Sequence, residues 1–158
     1  MVRRTLDLVA LALIFIAVWT LGLVYLSLEA NLWNSPELAS PKQRISPNQI
    51  HVFPNNVVLD LQNVRWTTYA DTNSMDPFLD ANAHGLEIKP KSPDDIQVGD
   101  IVVYRSKLTG DLIVHRVIGI NSANSSYSFT LKGDNTQLPD PEQIRFDQIE
   151  GVLIGILY

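Results

Sequence analysis

Three stretches of the chain contain side chains that could perform acid–base or nucleophilic chemistry. Ser74 lies in DTNSMDPFL, His115 in LIVHRVIGI, and two aspartates, Asp134 and Asp140, in LKGDNTQLPD. A serine hydroxyl attacks well when a positioned base removes its proton, and a carboxylate can hold a histidine base in the required tautomer. Each stretch alone also has a structural interpretation, because a turn-forming Asp-Pro can simply end a strand.

His115 is expected on a β-strand. Alternation along LIVHRVIGI places it on the same face as Ile113 and Val117. Apolar neighbours favour the neutral imidazole, which is the form that a general base requires. A satisfied core histidine fits the same pattern.

The stretch that contains the aspartates is expected to begin with a turn. The tetrapeptide KGDN at 132–135 follows the strand-like run YSFTLK, and its glycine and asparagine tolerate the positive φ of many turns. Asp140 lies between two prolines, which restrict the backbone and could hold its carboxylate in place. An exposed loop aspartate is the alternative.

Other candidate bases and ligands have weaker contexts. Lys132 is a rival base, but it lies at the expected turn, where solvent keeps an amine charged. His51 and His84 occur in polar stretches where surface positions are expected. The three histidines lack metal-ligand spacing and the chain has no cysteine, so no metal or other cofactor is predicted.

The elements that would position these residues are short β-strands. From Val57 onward, runs rich in β-branched and aromatic residues alternate with clusters of Asn, Gly, Pro and Asp. This pattern predicts an all-β domain over residues 57–158, and the proline-rich, polar residues 29–56 are expected to form a stalk. Asn124-Ser125-Ser126 fits a glycosylation acceptor, but the same residues are better explained as a polar hairpin turn. The predicted strands are VVLDL, VRWTTYA, LEIK, IVVYR, LIVHRVIGI, YSFTLK and GVLIGILY.

Residues 1–28 are predicted to form a short tip and one transmembrane helix. The uncharged segment from Leu8 to Leu28 could cross a hydrocarbon core of ~30 Å as a helix. A cleaved secretion signal is the alternative, but its apolar region is normally shorter and no small-x-small site follows promptly. Two arginines precede the segment and glutamates follow it. This order predicts a single-pass protein of the cell membrane with a cytoplasmic N terminus and an extracytoplasmic β-domain.

The charge balance argues against one class of partner. The formal net charge is −5, from 12 Lys and Arg against 17 Asp and Glu. Recognition of a nucleic-acid backbone depends on a basic surface, so nucleic acid is not an expected partner.

Taken in order, the motifs resemble those of the type I signal peptidase family of serine proteases. Ser-Met-Asp-Pro is similar to the family's S-M-x-P box, and Val-His-Arg-Val to its H-R-V box. Lys-Gly-Asp-Asn follows, with Asp140 six residues beyond Asp134. The histidine resembles the branch of archaea, the endoplasmic reticulum and some Gram-positive bacteria, whereas the main bacterial branch has lysine. The likeness covers residues 57–158 and the anchor.

The resemblance implies roles for five residues. Ser74 matches the nucleophile, His115 the general base, and Asp140 the acid that orients the histidine. Asp134 matches a supporting acidic position, and the division of roles between the two aspartates stays open. Thr72 falls where the family places a hydroxyl donor of the oxyanion hole, usually serine.

The function implied by the resemblance is removal of signal peptides from secreted preproteins, after small residues and without a cofactor. The implied partners are those preproteins, the lipid bilayer and subunits of an export machinery. The sequence departs from the family in LDANAHGLEIK, where a Gly-Asp turn is common, and at Thr136, where a second Asn is common. One alternative is a catalytically silent, anchored β-domain that binds or presents export partners. Another is a self-cleaving repressor-type protease, although that group uses lysine and lacks a membrane span.

Overall fold

The computed structural model describes residues 2–33, 38–123 and 126–158. Contacts divide the chain into two compact units, with the boundary between Leu38 and Ala39. The first two residues of Asn124-Ser125-Ser126 lie outside the described part of the chain.

The first unit contains one helix, α1, which runs over the 32 residues Val2–Trp33. Side chains are described from Leu11 to Ser27, and all of them are exposed. In the part of the chain that the structure describes, no helix is long and apolar enough to cross a membrane.

The second unit is built from antiparallel β-strands, which confirms the predicted all-β character of this part of the chain. One sheet pairs β1 with β2, and the other has the order β3-β4-β9-β5-β6-β7-β8. The short strands β1 and β8 were not predicted. The strands are β1 Ile50–Val52, β2 Val57–Leu59, β3 Val64–Thr68, β4 His84–Ile88, β5 Ile101–Arg105, β6 Leu112–Ala123, β7 Ser126–Lys132, β8 Ile144–Arg145 and β9 Ile149–Leu157.

Two hydrophobic cores cover opposite faces of the larger sheet, as strand alternation requires. His115 lies on the face of the first core, two residues from Val117, whereas Val114 packs against the second. Met75, which follows Ser74, is itself a buried member of the second core. The first core includes Val102, Tyr104, Val117, Phe129 and Leu131, and the second includes Met75, Leu79, Ala83, Ile101 and Leu153.

The β-unit begins earlier than the sequence indicated, at Ala39 rather than Val57. The buried carboxylate of Asp100 accepts hydrogen bonds from the Lys42 N–H at 2.8 Å and from Arg44 Nη2 at 2.6 Å. Gly99 has φ +101°, and a Cβ at this position would collide with the main chain of Ser40. The predicted stalk therefore needs correction, because residues from 39 onward belong to the folded β-unit.

Candidate active site

His115 and Asp140 form the central pair of the candidate site. His115 is 8% exposed, and its Nδ1 lies 2.8 Å from each carboxylate oxygen of Asp140. The Asp140 N–H donates to the carbonyl oxygen of Leu131 at 2.8 Å, which fixes the acid's main chain to β7. A carboxylate at Nδ1 favours the tautomer that carries its proton there and leaves Nε2 as a proton acceptor.

Ser74 lies in the loop between β3 and β4, beside the predicted oxyanion-hole residue. Its Oγ is 3.2 Å from Thr72 Oγ1, and either oxygen can donate in this hydrogen bond. Asn73 has φ +59°, a left-handed conformation that asparagine tolerates better than most residues. Burial of Met75 anchors the other side of the loop. The loop therefore presents two neighbouring hydroxyl groups from a fixed backbone.

Gly133 brings the serine loop and the histidine together. A Cβ at Gly133 would lie 2.5 Å from the Ser74 carbonyl oxygen and 3.0 Å from His115 Nε2. Asn135 donates its main-chain N–H to the Ser74 carbonyl and its side-chain amide to the Asn73 carbonyl, both at 3.0 Å. The 133–135 turn therefore holds the main chain of the serine loop beside the imidazole ring.

The reason expected for glycine and asparagine in this turn was wrong. Neither Gly133 nor Asn135 has positive φ. Glycine is instead required because the main chain of Ser74 approaches too closely to leave room for a side chain. Asn135 uses its amide to bind the neighbouring loop.

Replacing Gly133 with alanine is expected to destabilise the β-unit by about 1–3 kcal/mol, because an inserted methyl group must displace packed neighbours. The added methyl group should also move the main chain of Ser74 relative to His115. Gly119→Ala is the matched control, since a Cβ there would meet Thr130 at an ordinary 3.6 Å. Thermal unfolding of both variants measures the difference, and equal midpoints would contradict the tight packing at Gly133.

Hydrogen bonds do not connect all of the predicted site residues directly. Within the described residues, no hydrogen bond links Ser74 Oγ to His115 Nε2, and the serine hydroxyl bonds to Thr72 instead. Catalytic hydrogen bonds are often long or misaligned in free enzymes and tighten when substrate binds. Proton transfer from Ser74 Oγ to His115 would therefore require the two side chains to come within hydrogen-bond distance.

Asp134 binds an arginine rather than the histidine. Arg116 donates from Nε to Asp134 Oδ1 at 2.7 Å and from Nη2 to Oδ2 at 2.6 Å. The two side chains are only 12% and 9% exposed, and Arg116 Nη1 also donates to the Gly99 carbonyl at 2.8 Å. This bidentate pair braces the strand next to His115. Arg116 was not among the site residues predicted from the sequence, although the H-R-V motif contains it.

Tyr104 is a second residue of the site that was not predicted from the sequence. Its hydroxyl donates to Asp140 Oδ2 at 2.9 Å, and its ring centroid is 6.5 Å from that of His115. Burial raises the pKa of Tyr104 well above its ordinary value, and the hydrogen bond to Asp140 adds to this effect. The phenol therefore keeps its proton and remains a donor to the carboxylate.

Comparison with known proteins gives no relative to guide the assignment. No family model, no curated protein and no solved structure matches this chain. The roles of the site residues therefore depend on the motifs and on the geometry of this structure.

A cavity of about 240 Å³ lies beside Ser74. One wall is the start of β6, which pairs with β5 on one side from Leu112 to Arg116. In the described strands, β7 pairs with β6 only from Arg116 onward, so the other edge of residues 112–115 has no β7 partner. An extended peptide could add to this open edge. The lining includes Tyr69, Thr72, Ser74, Leu79, Ile113 and Val114.

Tyr69 is held in place at this cavity by the buried carboxylate of Glu87, which also binds Arg65. Its hydroxyl donates to Glu87 Oε1 at 3.4 Å, and Arg65 Nη2 donates to Glu87 Oε2 at 2.6 Å. Burial, followed by the nearby Glu87 charge, raises the pKa of Tyr69. A Cβ on Gly85 would overlap the Tyr69 hydroxyl, so the absence of a side chain there makes room for the ring. The cavity therefore has one fixed aromatic wall.

The other candidate bases lie in different surroundings. In the described part of the chain, the Lys132 amine has one hydrogen bond, at 3.4 Å to the Gly133 carbonyl. His84 was expected in a surface loop but begins β4, half-buried, with its ring centroid 5.1 Å from that of Trp66. His51 lies in β1. Among the described residues, no group of three or more His, Asp and Glu side chains could hold a metal ion.

Proposed function

We propose that this chain is a signal peptidase of the type I family, a membrane-bound serine endopeptidase that removes signal peptides from secreted preproteins. The observation that carries the proposal is the His115–Asp140 pair, with Nδ1 2.8 Å from both carboxylate oxygens. The packing of Gly133 against both Ser74 and His115 Nε2 supports the same function. The order of the sequence motifs favours this family over other serine proteases.

In the proposed reaction, His115 Nε2 takes the proton of Ser74 Oγ as this oxygen attacks the scissile carbonyl carbon. Asp140 stabilises the imidazolium that forms. The Ser74 N–H and the Thr72 hydroxyl donate to the developing oxyanion, and loss of one such donor typically costs ~10²–10³-fold in kcat. The imidazolium then protonates the leaving amine as the peptide C–N bond breaks. Water, deprotonated by the same ring, hydrolyses the Ser74 ester.

The substrate is proposed to bind as an extended strand on the open edge of residues 112–115. Alternate side chains of an extended peptide point to the same side, so two of them would enter the cavity beside Ser74. A cavity of about 240 Å³ shared by two side chains limits their combined size, which favours small residues over bulky ones. This restriction fits a small-x-small sequence before the cleaved bond.

Substrates with one bulky residue test this arrangement. In a peptide that ends in Ala-Xaa-Ala before the scissile bond, changing the first or third residue to Trp should lower kcat/KM by about 100-fold or more, since overpacking is costly. Changing the middle residue should alter kcat/KM by less than about threefold, because its side chain points away from the cavity. Equal losses at all three positions would contradict binding as a strand.

The N-terminal segment is proposed to anchor the enzyme in the cell membrane, with the β-unit on the extracytoplasmic side. The support is the uncharged sequence from Leu8 to Leu28, preceded by arginines. A shared bilayer would raise the effective concentration of a membrane-bound substrate. Alkaline carbonate extraction tests the anchor. The chain should remain in the membrane pellet, and its release into the supernatant would contradict the proposal.

A direct assay of the function uses the full-length chain reconstituted into lipid vesicles with a purified preprotein. Mass spectrometry of the product should show a single cut after a small residue at the end of the signal peptide. Absence of cleavage, both in vesicles and in native membranes that supply other export subunits, would contradict the proposal.

A second candidate is the catalytically silent β-domain that binds or presents export partners. It is favoured by one observation, the absence of a Ser74–His115 hydrogen bond among the described residues, where Ser74 bonds to Thr72. A silent domain would support export equally well with alanine at position 74. The peptidase would not.

A further inference from the structure

We propose that Tyr104 is a positioning residue that orients the Asp140 carboxylate and, through it, the His115 ring. This inference rests on the proposed function, in which His115 acts as the general base. The Tyr104 hydroxyl and His115 Nδ1–H both donate to the Asp140 carboxylate, so the three side chains form a continuous hydrogen-bonded series. Tyr104 would act through Asp140 and would not touch the substrate.

The Asp140 side chain needs a second contact to have one orientation. Its main-chain bond to Leu131 fixes the backbone but leaves rotation about the side-chain bonds free. Both carboxylate oxygens are equally close to His115 Nδ1, at 2.8 Å, so that contact alone does not select one oxygen. The Tyr104 hydroxyl, 2.9 Å from Oδ2, makes the two oxygens different. It therefore sets the rotation of the carboxylate.

Tyr104 is itself rigidly held. It is 2% exposed, belongs to the first core, and lies in β5, where it pairs with Ile113 of β6. His115 of β6 pairs with Val102 of β5, so the tyrosine and the histidine are held by the same pair of hydrogen-bonded strands. A Tyr104 hydroxyl fixed by these strands keeps the Asp140 carboxylate aligned with the His115 ring.

The phenol stays protonated over the working range of a histidine base. Burial, followed by the hydrogen bond to Asp140, raises the pKa of Tyr104. Because the pKa is raised on folding, the stability that the protonated hydroxyl adds to the fold is fully present below the ordinary pKa of about 10. It is lost only as the pH rises through the higher folded-state value.

Tyr104→Phe removes the hydroxyl and keeps the buried ring. We expect kcat on the preprotein to fall about tenfold, with KM changed less than about twofold, because a bond to a charged group is lost without loss of substrate contacts. Tyr127→Phe is the matched control, since the Tyr127 hydroxyl donates to Asp94 at 2.6 Å at an exposed site. The control should keep the wild-type kcat. An unchanged kcat in Tyr104→Phe would overturn the proposal.

A mutant cycle separates positioning from a general structural role. In an Asp140→Asn background, Tyr104→Phe should change kcat less than about twofold, because the acid that it orients is already lost. A full additional tenfold loss would show that Tyr104 acts on the fold rather than on Asp140, and would overturn the proposal. Circular dichroism and thermal unfolding check that the variants are folded.

Proton NMR provides a test that does not depend on peptidase activity. The His115 Nδ1 proton should give a sharp downfield signal in the wild type and should broaden through solvent exchange in Tyr104→Phe. If the wild type cleaves no preprotein, the proposed function fails, and this signal still decides whether Tyr104 orders the pair. If the wild type cleaves and the signal is equally sharp in both proteins, the function stands and the role of Tyr104 is wrong.

Discussion

Replacing Ser74 with alanine is expected to lower kcat for preprotein cleavage by about 10⁶-fold, which is the scale seen when the nucleophile is removed from a serine protease. The substitution removes the only atom that can form the ester intermediate in the proposed reaction. It should leave the fold unchanged, because the Ser74 hydroxyl has one side-chain hydrogen bond, to Thr72, in the described structure. The measurement is single-turnover cleavage by equal amounts of full-length wild type and variant in vesicles.

Two further variants test whether the loss of cleavage comes from the Ser74 hydroxyl. Ser122→Ala changes an exposed serine at the far end of β6 and should retain wild-type cleavage. Thr72→Ala should lose about 10²–10³-fold in kcat if its hydroxyl donates to the oxyanion. Undiminished processing by Ser74→Ala would refute the peptidase and favour a silent partner-binding domain.

The strands that carry the site were predictable because their hydrophobic pattern is strong. The run IVVYR corresponds to β5 with the same boundaries, and His115 lies on the face shared with Val117, as alternation indicated. Strands β1 and β8, of three and two residues, are too short to show a period in the sequence. Their pairing depends on neighbouring strands, which no local pattern contains.

The start of the β-unit was not predictable for a different reason. Residues 39–44 are proline-containing and polar, a composition typical of a linker. They are ordered by contacts with Asp100, which is 58 positions from Lys42 in the sequence. A buried carboxylate that binds a distant main-chain N–H leaves no local signal, so composition alone gave the wrong boundary.

In the candidate site too, the local sequence motifs were predictable, whereas contacts between residues distant in sequence were not. Motif order selected Ser74, His115 and Asp140, and the structure places the latter two in direct contact. The tyrosine that contacts Asp140 lies 36 residues away in a strand whose pattern indicates only a core position. Sequence spacing could not reveal this contact, because it arises from the pairing of β5 with β6 and from the path of the chain after β7.

The two aspartates can be separated by making the same change at each. Asp140→Asn should lower kcat by about 10⁴-fold, since an amide no longer favours the tautomer with the proton on Nδ1 or stabilises the imidazolium. The fold should persist, because the substitution is nearly isosteric. The Asp140 N–H bond to Leu131 belongs to the main chain and is unaffected.

Asp134→Asn should have the opposite profile. The variant leaves Arg116, only 12% exposed, without its counter-charge, and loss of one partner of a buried ion pair costs about 3 kcal/mol or more. Its unfolding midpoint should drop clearly, while the protein that remains folded at low temperature retains most of the wild-type kcat. Measuring kcat and thermal unfolding for both variants separates the two effects. If Asp134→Asn instead abolished turnover in folded protein while Asp140→Asn remained active, the acid that serves His115 would be Asp134.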